Sequence, residues 1–358
     1  MKNSNLKRID LLQVYRGLAA ILVLFFHGSV ILSQQFNQQE FFFNIGGVGW
    51  IGVDFFFVLS GFIIYYVHQN DIGHPNKIKS YILKRFIRVY PLYWTILICK
   101  IVALFFVNYG NSTYDLSFFS LLKNISLYPQ KDRLLNVSWT LSYEVFFYII
   151  FGILIVLGYK RFLPLFILWA TGILINSVWF IGRFQNIPIF NLIFNKINLE
   201  FLLGGLIAYI ISTQKITFKQ GLFFNYLATF LLAVFLTMYQ SQVIDDGTGI
   251  MWALAFALLI LGSAAVEINK AIKIPVFLVY IGNASYSIYL THGFFVSNIS
   301  KVINKFNSSL VTSPPLVINA VALMIFMLTI GLGCLVYSYI EKPLITVLRA
   351  KLLPRKLT

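Results

Sequence analysis

Hydrophobic residues follow one another along this chain in long stretches that short polar segments interrupt. A helix that crosses a bilayer needs about 20 predominantly apolar residues, because each residue adds about 1.5 Å of length. Apolar runs of that length recur throughout the sequence. They predict an all-α integral membrane protein with about ten transmembrane helices. The predicted spans are residues 10–33, 48–68, 89–108, 136–158, 163–181, 194–213, 221–240, 249–267, 281–300 and 316–340.

The composition excludes an ordinary soluble protein. Of the 358 residues, 59% are hydrophobic and 11% are charged, whereas soluble domains carry about 25% charged residues. No polar stretch is long enough for a separate soluble domain. We therefore predict one membrane domain over residues 1–345 and a basic cytoplasmic tail over residues 346–358.

The net charge of +16 is spread over short loops. No nucleic-acid motif accompanies it, so we expect contact with membrane lipid and no nucleic-acid partner. With the N-terminus inside, 19 Lys and Arg residues fall in inner segments and 7 in outer segments. This bias follows the positive-inside rule and predicts that both termini are cytoplasmic. Cys99 and Cys334 lack the spacing of metal ligands, so no metal site is predicted.

A basic segment separates the second and third predicted spans. Residues 68–90 are polar at first and then amphipathic, and we predict that they lie along the inner membrane surface. Pro91 is expected to mark the change of direction into the third span. Arg85 and Arg88 are three residues apart and so share one helix face. Paired guanidiniums suit the phosphates of coenzyme A, and they equally suit anionic lipid.

Ionisable side chains inside a membrane are costly, so each one is a candidate functional group. Arg16 and His27 lie in the first span, and their separation of eleven positions corresponds to about three helical turns. Both therefore share one face, about 16 Å apart along the axis. His27, in the outer half, can take up and return a proton near neutral pH. A hydrogen-bonded core histidine and an arginine that reaches the surface would give the same pattern.

Two acidic residues are expected at the depth of His27. Asp54 enters the second span a few residues from the outside, and Glu144 lies about two turns into the fourth span. An acid beside a histidine can orient its imidazole, although Asp54 is equally compatible with an interfacial helix end. Lys100 is expected to pair with a carboxylate or to line a cavity. His292 is either a second site residue or a polar packing group.

Six short motifs together resemble acyltransferase family 3, the integral membrane O-acyltransferases of exopolysaccharide and lipopolysaccharide O-acetylation. The resemblance covers nearly the whole chain, and it depends on the order and spacing of the motifs. They are RGLAAILVLFFH (16–27), GVDFFFVLSGFII (52–64), RFIR (85–88) followed by VYPLYW, WTLSYE (139–144), EFLLGG (200–205) and ASYSIYLTH (284–292).

The resemblance implies a multi-pass enzyme of the bacterial inner membrane that transfers an acyl group to a cell-surface or lipid-linked glycan. The donor would be cytoplasmic acyl-CoA, usually acetyl-CoA, which acts as a substrate and not as a permanently bound cofactor. The resemblance also implies roles for Arg16, His27, Arg85, Arg88 and Glu144. Some relatives carry a fused extracytoplasmic domain that completes the transfer. None follows the last span here, so we expect either direct transfer or a separate extracytoplasmic transferase.

The resulting hypothesis assigns donor binding to the three arginines and chemistry to His27. The arginines bind the phosphates of the CoA, and the pantetheine arm presents the thioester to His27. His27 acts as a general base or briefly carries the acyl group, and Asp54 or Glu144 orients it. The main alternative is a multi-pass transporter or flippase of a glycan precursor, which would also place ionisable groups in the membrane. A non-catalytic scaffold in polysaccharide assembly is a third alternative.

Overall fold

The computed structural model describes residues 9–36, 47–107, 114–179, 187–245, 249–306 and 313–353. Across these ranges every regular element is helical, as the sequence predicts. Six basic residues in the charge count lie outside the described ranges: Lys2, Lys7, Arg8, Arg183, Arg355 and Lys356. The division into a membrane domain and a tail at residue 345 stays a prediction, and a helix spans that point.

Thirteen α-helices make up the described structure, together with short 3₁₀ turns and one π-helical turn (Tyr337–Glu341). The helices are α1 (Asp10–Phe36), α2 (Ile51–His68), α3 (Ile78–Val107), α4 (Phe118–Ser126), α5 (Ser138–Trp179), α6 (Pro188–Phe194), α7 (Ile197–Thr213), α8 (Phe218–Gln240), α9 (Gly249–Asn269), α10 (Val276–Asn283), α11 (Ser285–Phe306), α12 (Pro315–Val336) and α13 (Lys342–Leu352).

Within the described ranges, eight helical segments are long and apolar enough to cross a membrane. The prediction of about ten spans differs from this count at two places. The fourth and fifth predicted spans are continuous as α5, which is interrupted at Gly158. The ninth predicted span corresponds to α10 and α11, of which α11 is rich in hydroxyl and amide side chains and is not among the eight. The chain is thus a multi-pass membrane protein.

Gly158 allows α5 to turn without an intervening loop. Its φ of 70° is in the region that favours glycine. The turn lies against Gly73, where a Cβ on Gly158 would be 3.3 Å from the Gly73 Cα. The Gly73 N–H donates a hydrogen bond to the carbonyl oxygen of Ile155 at 2.9 Å. The two glycines therefore let backbone meet backbone at the point where α5 changes course.

The structure makes residues 78–90, predicted as a surface segment before the third span, part of one long helix, and their place relative to the membrane stays a prediction. These residues form the first part of α3, which begins at Ile78 and continues through Pro91. A proline removes one N–H donor, yet spanning helices tolerate it because the rest of the backbone keeps its internal hydrogen bonds. The change of direction predicted at Pro91 is absent for the same reason. Arg85 and Arg88 therefore belong to a helix that is long and apolar enough to cross a membrane.

The helices form two compact units. The first unit contains residues 1–59 and 206–340, and the second contains residues 60–205 and 341–358. All three divisions along the chain fall inside elements, namely α2, α7 and the π-helical turn Tyr337–Glu341.

In the first unit, α1 packs closely against α10, α11 and α12. Glycine makes this approach possible: a Cβ on Gly282 would lie 1.9 Å from the carbonyl oxygen of Gln13, and a Cβ on Gly28 would lie 2.4 Å from the Phe326 ring. Small residues permit such contacts between membrane helices. The surrounding buried core consists of Ala20, Leu24, Leu32, Phe36, Ala284, Ile288, Val296, Ile318, Ala322, Ile325 and Phe326.

A carboxylate from α9 caps the start of α1. The backbone N–H groups of Asp10 and Leu11 donate to Oε1 and Oε2 of Glu267 at 2.7 and 2.9 Å. The first N–H groups of a helix have no partner within the helix, and a negative charge is favourable at that end. Glu267 therefore fixes the end of the helix that carries Arg16 and His27.

The packing of α1 on α10 leads to a first prediction. Gly282→Ala should lower the free energy of unfolding by about 2 kcal/mol, because the new methyl group overlaps backbone that cannot move alone. Thermal unfolding of the purified protein in lipid nanodiscs measures the change. Gly331→Ala in α12 is the matched control, since a Cβ there would meet nothing within 4 Å. Equal melting temperatures for the two variants would contradict the close packing.

Candidate active site

Two histidines meet inside the first unit. The ring centroids of His27 on α1 and His292 on α11 are 5.3 Å apart, and their planes are inclined at 60°. His27 also contacts Phe26, and His292 contacts Tyr289. His292 is buried, with 1% of its surface exposed. Of the two alternatives for His292, its place beside His27 favours a second site residue.

Hydrogen bonding fixes the protonation pattern of His292. Its Nδ1 lies 2.6 Å from the carbonyl oxygen of Tyr289, and a carbonyl can only accept, so Nδ1 carries the proton. In the neutral ring, Nε2 is then an acceptor, and it is buried without a hydrogen-bond partner among the described residues. Nδ1 of His27 is buried and unpartnered in the same way. The pair thus contains two buried ring nitrogens without a hydrogen-bond partner among the described residues.

Asp54 and Arg16 belong to the same unit. Asp54 on α2 is buried, with 7% of its surface exposed, and it makes no hydrogen bond to Nδ1 of His27. The Nη1 of Arg16 donates to Oε1 of Gln13 one helical turn earlier, at 3.0 Å. The role of Asp54 in orienting His27 stays a prediction.

Arg85 lies at the centre of a cluster in the second unit. Its Nη2 is 3.1 Å from Nε2 of His68, and Nδ1 of His68 is 2.7 Å from Oδ2 of Asp71. A guanidinium only donates hydrogen bonds, so Nε2 of His68 accepts and Nδ1 carries the proton that is donated to Asp71. The bond to Arg85 thereby requires a neutral imidazole at His68. We call Asp71, His68 and Arg85 the arginine relay.

Aromatic rings and a groove surround the same guanidinium. The Cζ of Arg85 is 5.6 Å from the ring centroid of Tyr148 and 6.0 Å from that of Tyr81, within the range of cation–π attraction. Nε of Arg85 is buried without a partner among the described residues. A groove of about 510 Å³ opens beside it between α3 and α5, and Arg85 is the charged residue among those that line it. The guanidinium therefore keeps donors and charge for a ligand.

Arg88 is engaged differently from Arg85. Its Nη1 donates to Oε1 of Glu341 at 2.7 Å, and the Glu341 side chain is 1% exposed. Arg88 pairs directly with a carboxylate, whereas the direct hydrogen-bond partner of Arg85 is a neutral imidazole. The two arginines predicted to act as a pair on phosphate therefore differ in their surroundings.

Glu144 is connected to the arginine relay. The hydroxyl of Tyr148, one turn further along α5, donates to Oε1 of Glu144, and the Tyr148 ring faces Arg85. The predicted separation of Glu144 in the outer half from Arg85 at the inner surface is therefore wrong within this unit. Arg85 lies about 10 Å along α3 from Ile78, because that helix starts earlier than predicted.

A family profile for an acyltransferase domain, that of acyltransferase family 3, matches residues 9–337. The chain belongs to this family. The recognition made from the six motifs is therefore confirmed, and this membrane protein is an acyltransferase.

Curated relatives of this acyltransferase cover most of its length. The exopolysaccharide production protein ExoZ of Rhizobium meliloti is 25% identical over an alignment of 298 residues, and the match covers 71% of this chain and 78% of ExoZ. ORF330 of the Acidianus two-tailed virus, provisionally named an acetyltransferase, is 27% identical over an alignment of 296 residues, and the match covers 77% of this chain and 80% of ORF330. No solved structure matches the acyltransferase.

Several contact residues of this acyltransferase were not among the candidates from sequence. His68 and Asp71 end the second span as VHQND, and an acid three residues after a histidine was a usable signal. Glu341 comes directly after the last predicted span, and its partner lies 253 residues away. Lys100 was expected to pair with a carboxylate or line a cavity, and its Nζ lies 5.1 Å from the ring centroid of Tyr114.

The pair of Arg88 and Glu341 leads to a second prediction. Glu341→Gln should destabilise the acyltransferase by about 2 kcal/mol, because it leaves a partly buried guanidinium without its counter-charge. Adding Arg88→Gln should restore part of that loss. A double-mutant cycle of thermal unfolding in nanodiscs measures the coupling. Additive effects of the two substitutions would show that the pair contributes no interaction energy.

Proposed function

We propose that this acyltransferase moves an acetyl group from cytoplasmic acetyl-CoA to a hydroxyl of a cell-surface or lipid-linked glycan. The observation that carries the proposal is the pair of His27 and His292. Each has a buried ring nitrogen without a hydrogen-bond partner in the part of the chain that the structure describes. A buried polar atom without a hydrogen bond costs about 1–3 kcal/mol. A membrane protein tolerates such an atom where a bound substrate forms the missing hydrogen bond.

The chemistry follows from general base catalysis at His27. With the proton of His27 on Nε2, Nδ1 accepts the proton of the sugar hydroxyl while its oxygen attacks the thioester carbonyl carbon. The C–O bond forms, the C–S bond breaks, and the leaving thiolate takes the proton from the imidazolium to give free CoA. His292, with Nδ1 held by the Tyr289 carbonyl, offers Nε2 to hold the hydroxyl or the ring of His27. Base catalysis of this kind contributes about 10²–10⁴-fold.

Donor binding is assigned to Arg85 first and to Arg88 and Arg16 second. The guanidinium of Arg85 and its unpartnered Nε suit a phosphate of CoA, since forked N–H donors match phosphate oxygens. The pantetheine arm would then carry the thioester toward the histidines. Donor and acceptor would not need to cross the bilayer. Glu144 accepts a hydrogen bond from the Tyr148 hydroxyl and would thereby orient the Tyr148 ring, which faces Arg85.

The topology proposed for the enzyme has ten spans, both termini in the cytoplasm and the bacterial inner membrane as its location. Support comes from the excess of Lys and Arg in alternate segments. Counting α5 as two spans that meet at Gly158, and α10 with α11 as one more, gives the even number that this orientation requires.

The acceptor is proposed from chemistry and from relatives. ExoZ is named for exopolysaccharide production, and ORF330 is provisionally named an acetyltransferase, so a glycan hydroxyl and an acetyl group are the natural proposal here. An extracytoplasmic transferase is a second partner to be sought. The transporter alternative rests on ionisable groups inside the membrane, among them Lys100 and His292. Their contacts with Tyr114 and His27 weaken that support.

The role of His27 leads to a third prediction. His27→Gln keeps polarity and similar volume and removes the base, so kcat for acetyl transfer should fall by about 10²–10⁴-fold. The measurement uses inverted membrane vesicles with radiolabelled acetyl-CoA on the outside and counts label in extracted glycan.

The matched control is His74→Gln, because His74 is exposed and lies outside both clusters. Its transfer rate should equal that of the native enzyme. If the His27→Gln enzyme folds and keeps the full rate of acetyl transfer, His27 is not the general base. Movement of unmodified glycan without any label transfer would favour the transporter.

The charge of Arg85 leads to a fourth prediction. Arg85→Gln should raise KM for acetyl-CoA by about tenfold or more and leave kcat within about threefold, because a charge-assisted hydrogen bond contributes about 1.5–3 kcal/mol. Lys77→Gln is the control, since Lys77 is an exposed basic residue next to the start of the same helix. Equal KM values for the two variants would mean that general positive charge, and not Arg85, attracts the donor.

A further inference from the structure

The hydrogen-bond partner of Arg85 is a neutral histidine, which is unusual for an arginine in a membrane protein. Charged groups inside a membrane normally pair with an opposite charge, as Arg88 does with Glu341. Arg85 instead donates to Nε2 of His68, which is 1% exposed. His68 is the last residue of α2 and lies 17 positions before Arg85 in the chain. This contact needs an explanation that salt-bridge stability does not provide.

We propose that His68 and Asp71 are positioning residues that aim Arg85 at the donor phosphate while leaving its charge available. The inference rests on the proposed acyl-CoA donor and extends it to residues that touch no reacting atom. His68 acts through Arg85, and Asp71 acts through His68. The arginine relay is thus a device for anion binding.

The neutrality of His68 is what preserves the charge of Arg85. A carboxylate in its place would form an ion pair with the guanidinium and compete directly with an incoming phosphate. An imidazole acceptor holds one N–H at 3.1 Å and adds no negative charge. The rings of Tyr81 and Tyr148 lie beside the same guanidinium and restrict its orientation. Held in this way, the remaining donors of Arg85 have a fixed direction before any ligand arrives.

Asp71 holds the imidazole in the orientation that Arg85 needs. Its Oδ2 accepts the proton on Nδ1 at 2.7 Å, so Nε2 keeps its lone pair toward the guanidinium. Asp71 is 24% exposed, whereas His68 is 1% exposed. The carboxylate therefore lies behind the buried imidazole, away from Arg85. An acid orients a histidine in the same way when it selects a tautomer in an enzyme.

A comparison of two acyl donors distinguishes positioning of Arg85 from a purely structural role of His68. Acetyl-CoA carries phosphates, whereas acetyl-pantetheine has the same thioester arm without them. If the arginine relay positions a phosphate-binding group, loss of His68 should affect the first donor and spare the second. A variant that merely loosens the fold would lose activity with both.

The experiment measures kcat and KM for both donors in native and variant enzyme reconstituted in nanodiscs. His68→Phe keeps an aromatic ring and loses the acceptor, so KM for acetyl-CoA should rise about tenfold with kcat within about threefold. KM for acetyl-pantetheine should stay unchanged. His68→Gln retains one acceptor and one donor, so it should restore most of the preference for acetyl-CoA.

Asp71 provides a second variant in case His68→Phe fails to fold. Asp71→Leu should raise KM for acetyl-CoA about threefold, and Asp71→Asn, which still accepts from Nδ1, should have little effect. His74→Gln again serves as the control, because His74 belongs to the same connection and is exposed.

The outcomes separate the inference from the proposed function. The inference is overturned if Arg85→Gln raises KM for acetyl-CoA while His68→Phe, or Asp71→Leu where that protein alone folds, leaves it unchanged. It is also overturned if the variants weaken both donors equally. If the native enzyme transfers acetyl from neither donor, the proposed function fails, and the inference fails with it.

Discussion

The hydrocarbon core of a bilayer supplies no water to an ionisable side chain. The protein itself therefore has to provide a hydrogen-bond partner or a counter-charge for every polar or charged group that it places there. The second unit shows two solutions to this constraint within one helical turn of α3. Arg88 donates to a buried carboxylate, and Arg85 donates to a neutral imidazole between aromatic rings. The first solution removes net charge from the site, and the second keeps it. Anion binding can depend only on the second.

The histidines of the first unit are subject to the same constraint, but there the described residues leave part of the hydrogen bonding unsatisfied. A neutral imidazole has one donor and one acceptor, and the fold satisfies only the donor of His292. The cost of the unpartnered nitrogens has to be offset elsewhere in the unit. Close glycine contacts between α1 and α10, together with the carboxylate of Glu267 at the start of α1, provide such stabilisation. Rigid packing and an incomplete polar pair are therefore two properties of the same helix.

Much of the fold could be predicted because the bilayer makes helix length and apolar composition nearly sufficient evidence. His27 was also found this way, since an ionisable group in an apolar run is conspicuous, whereas Arg85 was found in a basic amphipathic segment. Depth was harder, because it depends on where a helix begins. Moving the start of α3 back to Ile78 changed Arg85 from a surface residue into one linked through Tyr148 to Glu144. Hydropathy averages hide such a start when the first turns are basic.

Partners could not be predicted where they come from distant parts of the chain. Nothing in the sequence around Glu341 indicates that it binds an arginine 253 residues earlier, because pairing depends on how α3 and α13 pack. The same holds for the contact between His27 and His292. The pattern nevertheless follows a rule: a membrane arginine that has a carboxylate partner stabilises, whereas one that has a neutral acceptor is available to bind an anion. By that rule Arg85 alone, and not Arg85 and Arg88 as a pair, should determine how strongly the acyl donor binds.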